Sequence, residues 1–286
     1  MKEEMHQSKD SKFIPMTSVS SGKGREINND VYYYTNQIVN VIMIGHPDDE
    51  NWVLVDAGMP HSGEEIKKVA EKRFGNGTRP AAIILTHGHF DHVGGLVYLI
   101  NEWNVPVYAH PLEFLYLIGE KRYPEPDTSV EGGILAKISS IYPIEPINIS
   151  SALQELPSNN TIPWLREWKW IHVPGHSPGQ IALFRERDRM LIAADAFVTV
   201  KQDSLYKVLI QKEEVHGPPV YLTTNWEMAR ESVQKLEALK PNYVITGHGQ
   251  AMEGEELWEG LTNLVLNFDE VAIPSHGKFV RDERKE

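Results

Sequence analysis

The sequence predicts an α/β fold. Short apolar segments rich in β-branched residues alternate along the 286 residues with segments whose apolar residues recur every three or four positions. Three strand-like segments, 31–34, 38–44 and 52–55, come before the first helical pattern, which indicates an antiparallel start to the fold. Hydrophobic residues make up 41% of the chain, enough for one large core, so we expect a single domain over 1–286.

The helical segments follow these strands and end at residues that stop helices. Between 63 and 74, Ile66, Val69 and Ala70 lie on one face, and Gly75 ends the pattern. Further helices are predicted at 96–103, 226–239 and 255–268. Further strands are predicted at 81–85, 105–109, 168–173, 180–184, 190–194 and 243–246.

Two segments have no strong periodic pattern. Residues 1–12 are polar, and we expect them to be flexible. The segment from about 111 to 165 contains six prolines between residues 124 and 163, although 112–118 and 134–138 have helical composition. It lacks a core-sized apolar pattern, so we interpret it as a lid-like insertion near the active site. Its apolar side chains fit a lid over an acyl chain as well as they fit packing on the domain or a homodimer interface.

The composition excludes several classes of function. A formal net charge of −12 disfavours nucleic acid and anionic membranes, so we expect a small-molecule substrate. The chain has no cysteine, so disulfides and thiolate metal sites are excluded and a metal would need His, Asp or Glu. No apolar run approaches the roughly 20 residues that span a bilayer, and the first ten residues lack the apolar core of an export signal. We therefore expect a cytoplasmic protein.

Ligand-type residues are concentrated directly after the apolar run 81–85. His87 and His89 can face the same way from an extended loop, whereas Asp91 and His92 follow a turn and can point elsewhere. Neutral imidazole and carboxylate are ligands that zinc, iron and manganese accept. One loop can therefore serve two neighbouring metal positions. We expect the glycine pair that follows, 94–95, to turn the chain sharply into the next helix.

Three other predicted strands also end near a ligand-type residue. His176 follows the strand at 168–173, Asp195 follows the strand at 190–194, and His248 follows the strand at 243–246. Glycines flank most of these positions and permit a close approach of backbone to ligand. Core packing alone would not place ligand-type residues at four strand ends, so the sequence predicts a metal site.

Together, His-x-His-x-Asp-His, Pro-Gly-His-Ser-Pro-Gly, a strand-end Asp and Gly-His-Gly resemble the motifs of the metallo-β-lactamase superfamily, from about residue 30 to 250. The resemblance implies an αββα sandwich with two divalent metal ions at one edge, between the sheets. It also implies which residues bind the metals: His87, His89 and His176 for the first ion, Asp91, His92 and His248 for the second, and Asp195 as a bridge between them. By the same resemblance, Asp56 would be buried beside the ligands.

The resemblance implies a hydrolase. Two ions, zinc or alternatively manganese, cobalt or iron, would lie roughly 3.5–4 Å apart and hold a bridging hydroxide at neutral pH. The hydroxide would attack an ester, lactone or thioester carbonyl, and Asp91 could also transfer a proton to the leaving group. Among superfamily members the chain most resembles the small hydrolases near the acyl-homoserine-lactone lactonases.

Several alternatives stay open. Those lactonases have a tyrosine three residues after the bridging aspartate, where this chain has Val198, and Tyr206 and Tyr221 are the alternative candidates for that role. A glyoxalase II-like thioesterase shares the ligand set but has a C-terminal helical domain, which we do not expect here. A mononuclear iron persulfide dioxygenase would use part of the set. A true β-lactamase is not expected. His216 and His276 are further candidates for the pocket mouth.

Overall fold

The computed structural model describes residues 5–12, 14, 17–130, 139, 142–200 and 214–280. The chain divides into two compact units. Unit 1 comprises Met1–Tyr123 and Pro143–Trp170, and unit 2 comprises Pro124–Tyr142 and Ile171–Glu286. The expectation of a single domain over 1–286 stays a prediction.

Unit 1 is built on a seven-stranded mixed sheet in which the strands follow one another in chain order. The strands are β1 (Lys23–Asn28), β2 (Val31–Asn36), β3 (Val39–Ile44), β4 (Val53–Val55), β5 (Ala82–Ile84), β6 (Val107–Ala109) and β7 (Leu153–Glu155). Strands β1 to β4 pair with one another in antiparallel order. The pairs β4–β5, β5–β6 and β6–β7 are parallel. Strands β3, β4 and β5 are buried along their whole length, as continuous apolar runs require. Unit 1 also contains β8 (Thr161–Ile162), which pairs with β9 (Leu165–His172), a strand that ends in unit 2.

The helices of unit 1 cover its apolar side chains. They are α1 (Gly63–Phe74), α2 (Phe90–Val93), α3 (Leu96–Trp103) and α4 (Phe114–Leu117), the last preceded by a 3-10 turn at Pro111–Glu113. Trp52 connects sheet and helices, since its ring stacks on Phe74 at 4.4 Å and meets the edge of Trp103 at 5.7 Å. Helix α1 ends before Gly75, which has φ 99, and α3 ends before Asn104, which has φ 50. Both helices have the predicted bounds.

Unit 2 contains a second mixed sheet. The strands of this sheet that lie wholly within unit 2 are β10 (Ile181–Arg185), β11 (Met190–Ala194), β12 (Tyr243–Thr246) and β13 (Met252–Glu253). Strands β11 and β12 are parallel, and the other neighbouring pairs are antiparallel. Its helices are α5 (Trp226–Glu237), α6 (Gly254–Leu266) and α7 (Phe268–Val271). The parallel pair brings the ends of β11 and β12 to the same edge, and each end precedes a candidate metal ligand.

Described residues within the segments at 111–165 and 1–12 form a strand, helical turns and backbone hydrogen bonds. Residues 153–155 form β7 at the edge of the first sheet, so this part of the predicted insertion belongs to the sheet. The expected helix at 112–118 is present as the 3-10 turn and α4, whereas 134–138 lies outside the described residues. His6 pairs with Asn148 through two backbone hydrogen bonds, and the Asp10 carboxylate accepts from the backbone amide of Ile144 at 2.9 Å. Among the described helices, none is long and apolar enough to cross a membrane.

Candidate metal centre

In unit 1 the predicted ligand loop directly follows β5. His87, His89, Asp91 and His92 are all buried, with at most 4% of each residue exposed. The His87 ring lies 4.7 Å from the His89 ring and 4.1 Å from the His92 ring, measured between centroids. The turn expected between the two halves of the motif is α2, which begins after His89. The loop therefore gathers three imidazoles in one buried cluster.

Asp56 orients two of these imidazoles. Its Oδ2 accepts from His92 Nδ1 at 2.7 Å and from the Thr86 hydroxyl at 2.8 Å, while Oδ1 accepts from the Thr86 amide at 2.8 Å. The Thr86 hydroxyl oxygen in turn lies 3.1 Å from His87 Nδ1 and can accept the proton carried by that nitrogen. With the protons of both rings held on Nδ1, His92 and His87 present Nε2 as the ligand atom. Asp56 adopts φ 62, a conformation that aspartate tolerates better than most residues.

The glycine pair after the motif forms the turn between α2 and α3, as expected, and it also permits a close backbone contact. Gly94 and Gly95 make this turn with ordinary helical angles. A Cβ on Gly94 would lie 2.1 Å from the carbonyl carbon of Met59. The Gly94 and Gly95 amides donate to Gly58 and Ala57 at 2.8 and 2.9 Å. These positions must be glycine because the ligand loop packs directly on the backbone that follows β4.

Glu113 and Tyr123, which the sequence did not indicate, hold the same loop from another direction. The Gly88 amide lies 3.0 Å from both Glu113 Oε2 and the Tyr123 hydroxyl, and this hydroxyl donates to Glu113. The Tyr123 ring contacts the His89 ring edge-on, with centroids 4.3 Å apart. Burial, followed by the negative charge of Glu113, raises the pKa of Tyr123 well above its usual value. Tyr123 is therefore a neutral hydrogen-bond donor at neutral pH.

In unit 2 one carboxylate lies between two imidazoles. Asp195 Oδ2 is 3.4 Å from His176 Nε2 and 3.3 Å from His248 Nε2, and all three side chains are buried. Two ligands of a tetrahedral zinc ion, each about 2.0–2.1 Å from the metal, lie about 3.3 Å apart. The three donors therefore have the spacing of ligands around metal ions. This geometry and the oxygen and nitrogen donor set fit divalent metals.

His176 also has its proton fixed by a neighbour. Its Nδ1 lies 3.1 Å from the Thr223 hydroxyl, which donates its own proton to the Pro219 carbonyl at 2.8 Å. The Thr223 oxygen can therefore accept from His176 Nδ1, and Nε2 is left to face Asp195. Thr223 was not identified from the sequence as a positioning residue, because it lies 47 residues from the histidine.

The loop that carries His248 is fixed by two threonines. Thr246 donates to the His248 carbonyl at 2.6 Å, and the Thr199 amide donates to the same carbonyl at 3.2 Å. Gly249 has φ 100, and a Cβ there would lie 2.4 Å from Thr199 Oγ1. The Gly-His-Gly motif therefore places the imidazole on a tightly packed turn that only glycine permits.

The remaining candidates from the sequence occupy varied positions. Val198 is buried and exchanges backbone hydrogen bonds of 3.0 and 2.9 Å with His216, which is also buried. Tyr221 is buried within unit 2, and His276 is exposed. Tyr206 lies outside the described residues.

Comparison with known proteins gives consistent results. A family model of the metallo-β-lactamase superfamily matches residues 34–248. The probable metallo-hydrolase YflN of Bacillus subtilis (strain 168) is 46% identical over 253 residues, which cover 88% of this chain and 96% of that protein. The probable metallo-hydrolase YybB of the same strain is 29% identical over 213 residues, covering 74% and 82% of the respective chains. The structure of an archaeal metallo-β-lactamase superfamily protein, ST1585 from Sulfolobus tokodaii, has a TM-score of 0.56 at 19% identity, with 89% of this chain and 84% of that chain covered.

Proposed function

Because this chain belongs to the metallo-β-lactamase superfamily, we propose that it is a dinuclear metal-dependent hydrolase of a small-molecule ester, lactone or thioester. Membership of the superfamily confirms the α/β fold class that the sequence predicted. The observation that carries the proposal is the position of Asp195, whose Oδ2 lies between His176 Nε2 and His248 Nε2. A carboxylate in this position is suited to bridging two metal ions.

The proposed ligand assignment follows the family resemblance. The first ion would be held by His87, His89 and His176, the second by Asp91, His92 and His248, and both by Asp195. Hydrogen bonds at Nδ1 orient His92 towards ligation through Nε2, as they do for His87 and His176. Such outer partners keep a ligand in one tautomer before the metal arrives, which lowers the cost of binding.

The donor set favours zinc, and manganese, cobalt and iron are alternatives. When bound, the metals would supply an activated water near neutral pH and polarise the substrate carbonyl. The buried Asp91 carboxylate would hold a proton and deliver it to the leaving oxygen or sulfur. Buried ligand side chains exclude water from this step, which strengthens electrostatic interactions with the substrate.

The proposed substrate class rests on the net charge of the chain and on which tyrosine could contact a lactone. A net charge of −12 supports a small molecule over a nucleic acid or a membrane surface. Val198 has no hydroxyl to offer a lactone, so Tyr221 is the candidate among the described residues for that contact. The lack of cysteine supports a cytoplasmic location. A homodimer and a lid at 111–165 remain part of the proposal.

A substrate panel tests the proposal. Zinc-loaded and manganese-loaded protein would be assayed with nitrophenyl esters, acyl-homoserine lactones and acyl thioesters. We expect turnover of at least one class and a loss of about 10²-fold or more in Asp91→Asn. Asp48→Asn, at an exposed position, is the matched control and should keep full activity. Metal-loaded protein that turns over none of the three classes would contradict the proposal. If that protein consumed oxygen in the presence of persulfides, the dioxygenase would replace the hydrolase as the proposed function.

A further inference from the structure

A buried acidic side chain lies behind the ligand loop of unit 1. Glu113 ends the 3-10 turn Pro111–Glu113, and its accessible surface is 0%. Its Oε2 accepts from the Gly88 amide at 3.0 Å and from the Tyr123 hydroxyl. Gly88 is the residue between His87 and His89. We propose that Glu113 and Tyr123 form a clamp that positions these two histidines for metal binding, an inference that rests on the proposed function.

The clamp acts on the most flexible point of the ligand loop. Glycine explores more backbone angles than any other residue, so an unrestrained Gly88 would let His87 and His89 rotate relative to each other. The two acceptors, Glu113 Oε2 and the Tyr123 oxygen, both lie 3.0 Å from the Gly88 nitrogen and fix the direction of its N–H. Fixing this peptide group sets the relative orientation of the two flanking imidazoles.

Tyr123 connects the clamp to a ligand directly. Its ring lies edge-on to the His89 ring, with centroids 4.3 Å apart. It also stacks on the Tyr116 ring, with centroids 4.0 Å apart and an interplanar angle of 7°. The stacked pair restricts the ring that supports His89. A Cβ on Gly88 would lie 2.6 Å from the Tyr123 oxygen, so a side chain at this position would displace the hydroxyl. Glycine therefore suits the close contact between this amide and the clamp.

The chemistry of Glu113 supports a positioning role. A buried carboxylate is costly unless several donors stabilise its charge, so an apolar residue would fill this space at lower cost if only packing were needed. Its donors include the Gly88 amide of the ligand loop and the hydroxyl of Tyr123, whose ring contacts His89. The buried charge is therefore used to hold the loop, and neither residue needs to touch the substrate.

Metal affinity separates positioning from simple stability. Zinc and cobalt affinity would be measured by competition with a chromophoric chelator, together with the visible spectrum of the cobalt form and urea unfolding of metal-free protein. We expect Glu113→Ala to lower affinity for one of the two ions about 10–100-fold and to change the cobalt spectrum. Glu113→Gln should restore most of the affinity, because its amide oxygen can still accept from Gly88. Tyr123→Phe should have an intermediate effect, and Tyr116→Phe, which keeps the stacked ring, should match wild type.

The outcomes distinguish this inference from the proposed function. Wild-type affinity and spectrum in Glu113→Ala would overturn the clamp alone. Loss of affinity that only parallels loss of folding stability, with no rescue by Glu113→Gln, would also overturn it. Wild-type protein that binds two metals but hydrolyses nothing would overturn the proposed function and leave the clamp in place. Wild-type protein that binds no metal would overturn both.

Discussion

Replacement of Asp56 by asparagine tests the hydrogen bond that fixes the His92 tautomer. Because the Asn oxygen must still accept from the Thr86 amide, the substitution replaces Oδ2, which accepts from His92 Nδ1 at 2.7 Å, by an amide nitrogen that donates. To accept this proton, His92 must lose its own proton at Nδ1 and carry one at Nε2 instead. The nitrogen that would bind the metal is then protonated, so metal binding must first reverse the tautomer.

We expect Asp56→Asn to lower both the folding stability and the metal affinity. The second donor to Oδ2, the Thr86 hydroxyl, can rotate and accept from the new amide, so Asp56→Asn leaves about one buried group poorly paired and should cost about 1–3 kcal/mol of stability. Metal affinity should fall about 10–100-fold. Asp56→Ala leaves all three donors without this acceptor and places alanine at φ 62, so its stability loss should be about twice as large or more.

The assay pairs metal competition with urea unfolding of the metal-free protein. Asp48→Asn makes the same chemical change at an exposed site and should leave both quantities at the wild-type value. If Asp56→Asn bound both ions with wild-type affinity, the account of His92 orientation would be wrong. Equal stability of Asp56→Asn and Asp56→Ala would show that the buried hydrogen bonds contribute little.

Three further predictions concern packing, ligand orientation and pH. Gly94→Ala should cost about 3 kcal/mol or fail to fold, since the Cβ would meet the Met59 backbone at 2.1 Å; urea unfolding measures this. Thr223→Val removes the acceptor for His176 Nδ1, so it should weaken metal affinity about 10-fold and cost about 1–3 kcal/mol of stability. Burial opposes the charge of Asp127, but hydrogen bonds to its carboxylate outweigh burial and lower its pKa. Its contribution to stability is therefore present above about pH 4 and lost as the pH falls through the lowered pKa, so Asp127→Asn should reduce the loss of urea stability between pH 5 and pH 3 relative to wild type.

Local sequence determines the elements that were predicted well. Helix α1 and strand β12 have the predicted bounds because apolar periodicity and flanking glycine or proline are properties of the segment itself. Strands β1 and β7 were missed because they are short, partly exposed edge strands without apolar alternation. Their partners β2 and β6 make them strands, and sequence spacing does not reveal that pairing.

The candidate site likewise contains residues that local sequence predicts and residues that only the fold reveals. The candidate ligands were predicted because a ligand-type residue after each strand is a local pattern, as at His248 after β12. Glu113, Tyr123 and Thr223 were missed because each acts on a residue 25, 35 or 47 positions away, respectively. The close approach of Gly94 to another loop was also missed, since it is a tertiary contact. Candidate ligands can therefore be proposed from the sequence, whereas the orientation of their side chains needs the fold.

The number of metal ions per chain tests the central claim most directly. Protein purified without added metal, and again after dialysis with zinc, would be examined by elemental analysis alongside Asp195→Asn. The proposed site predicts two divalent ions per wild-type chain and fewer in the variant, because Asp195 would bridge both. A single iron per chain, or no metal after reconstitution, would contradict the dinuclear hydrolase.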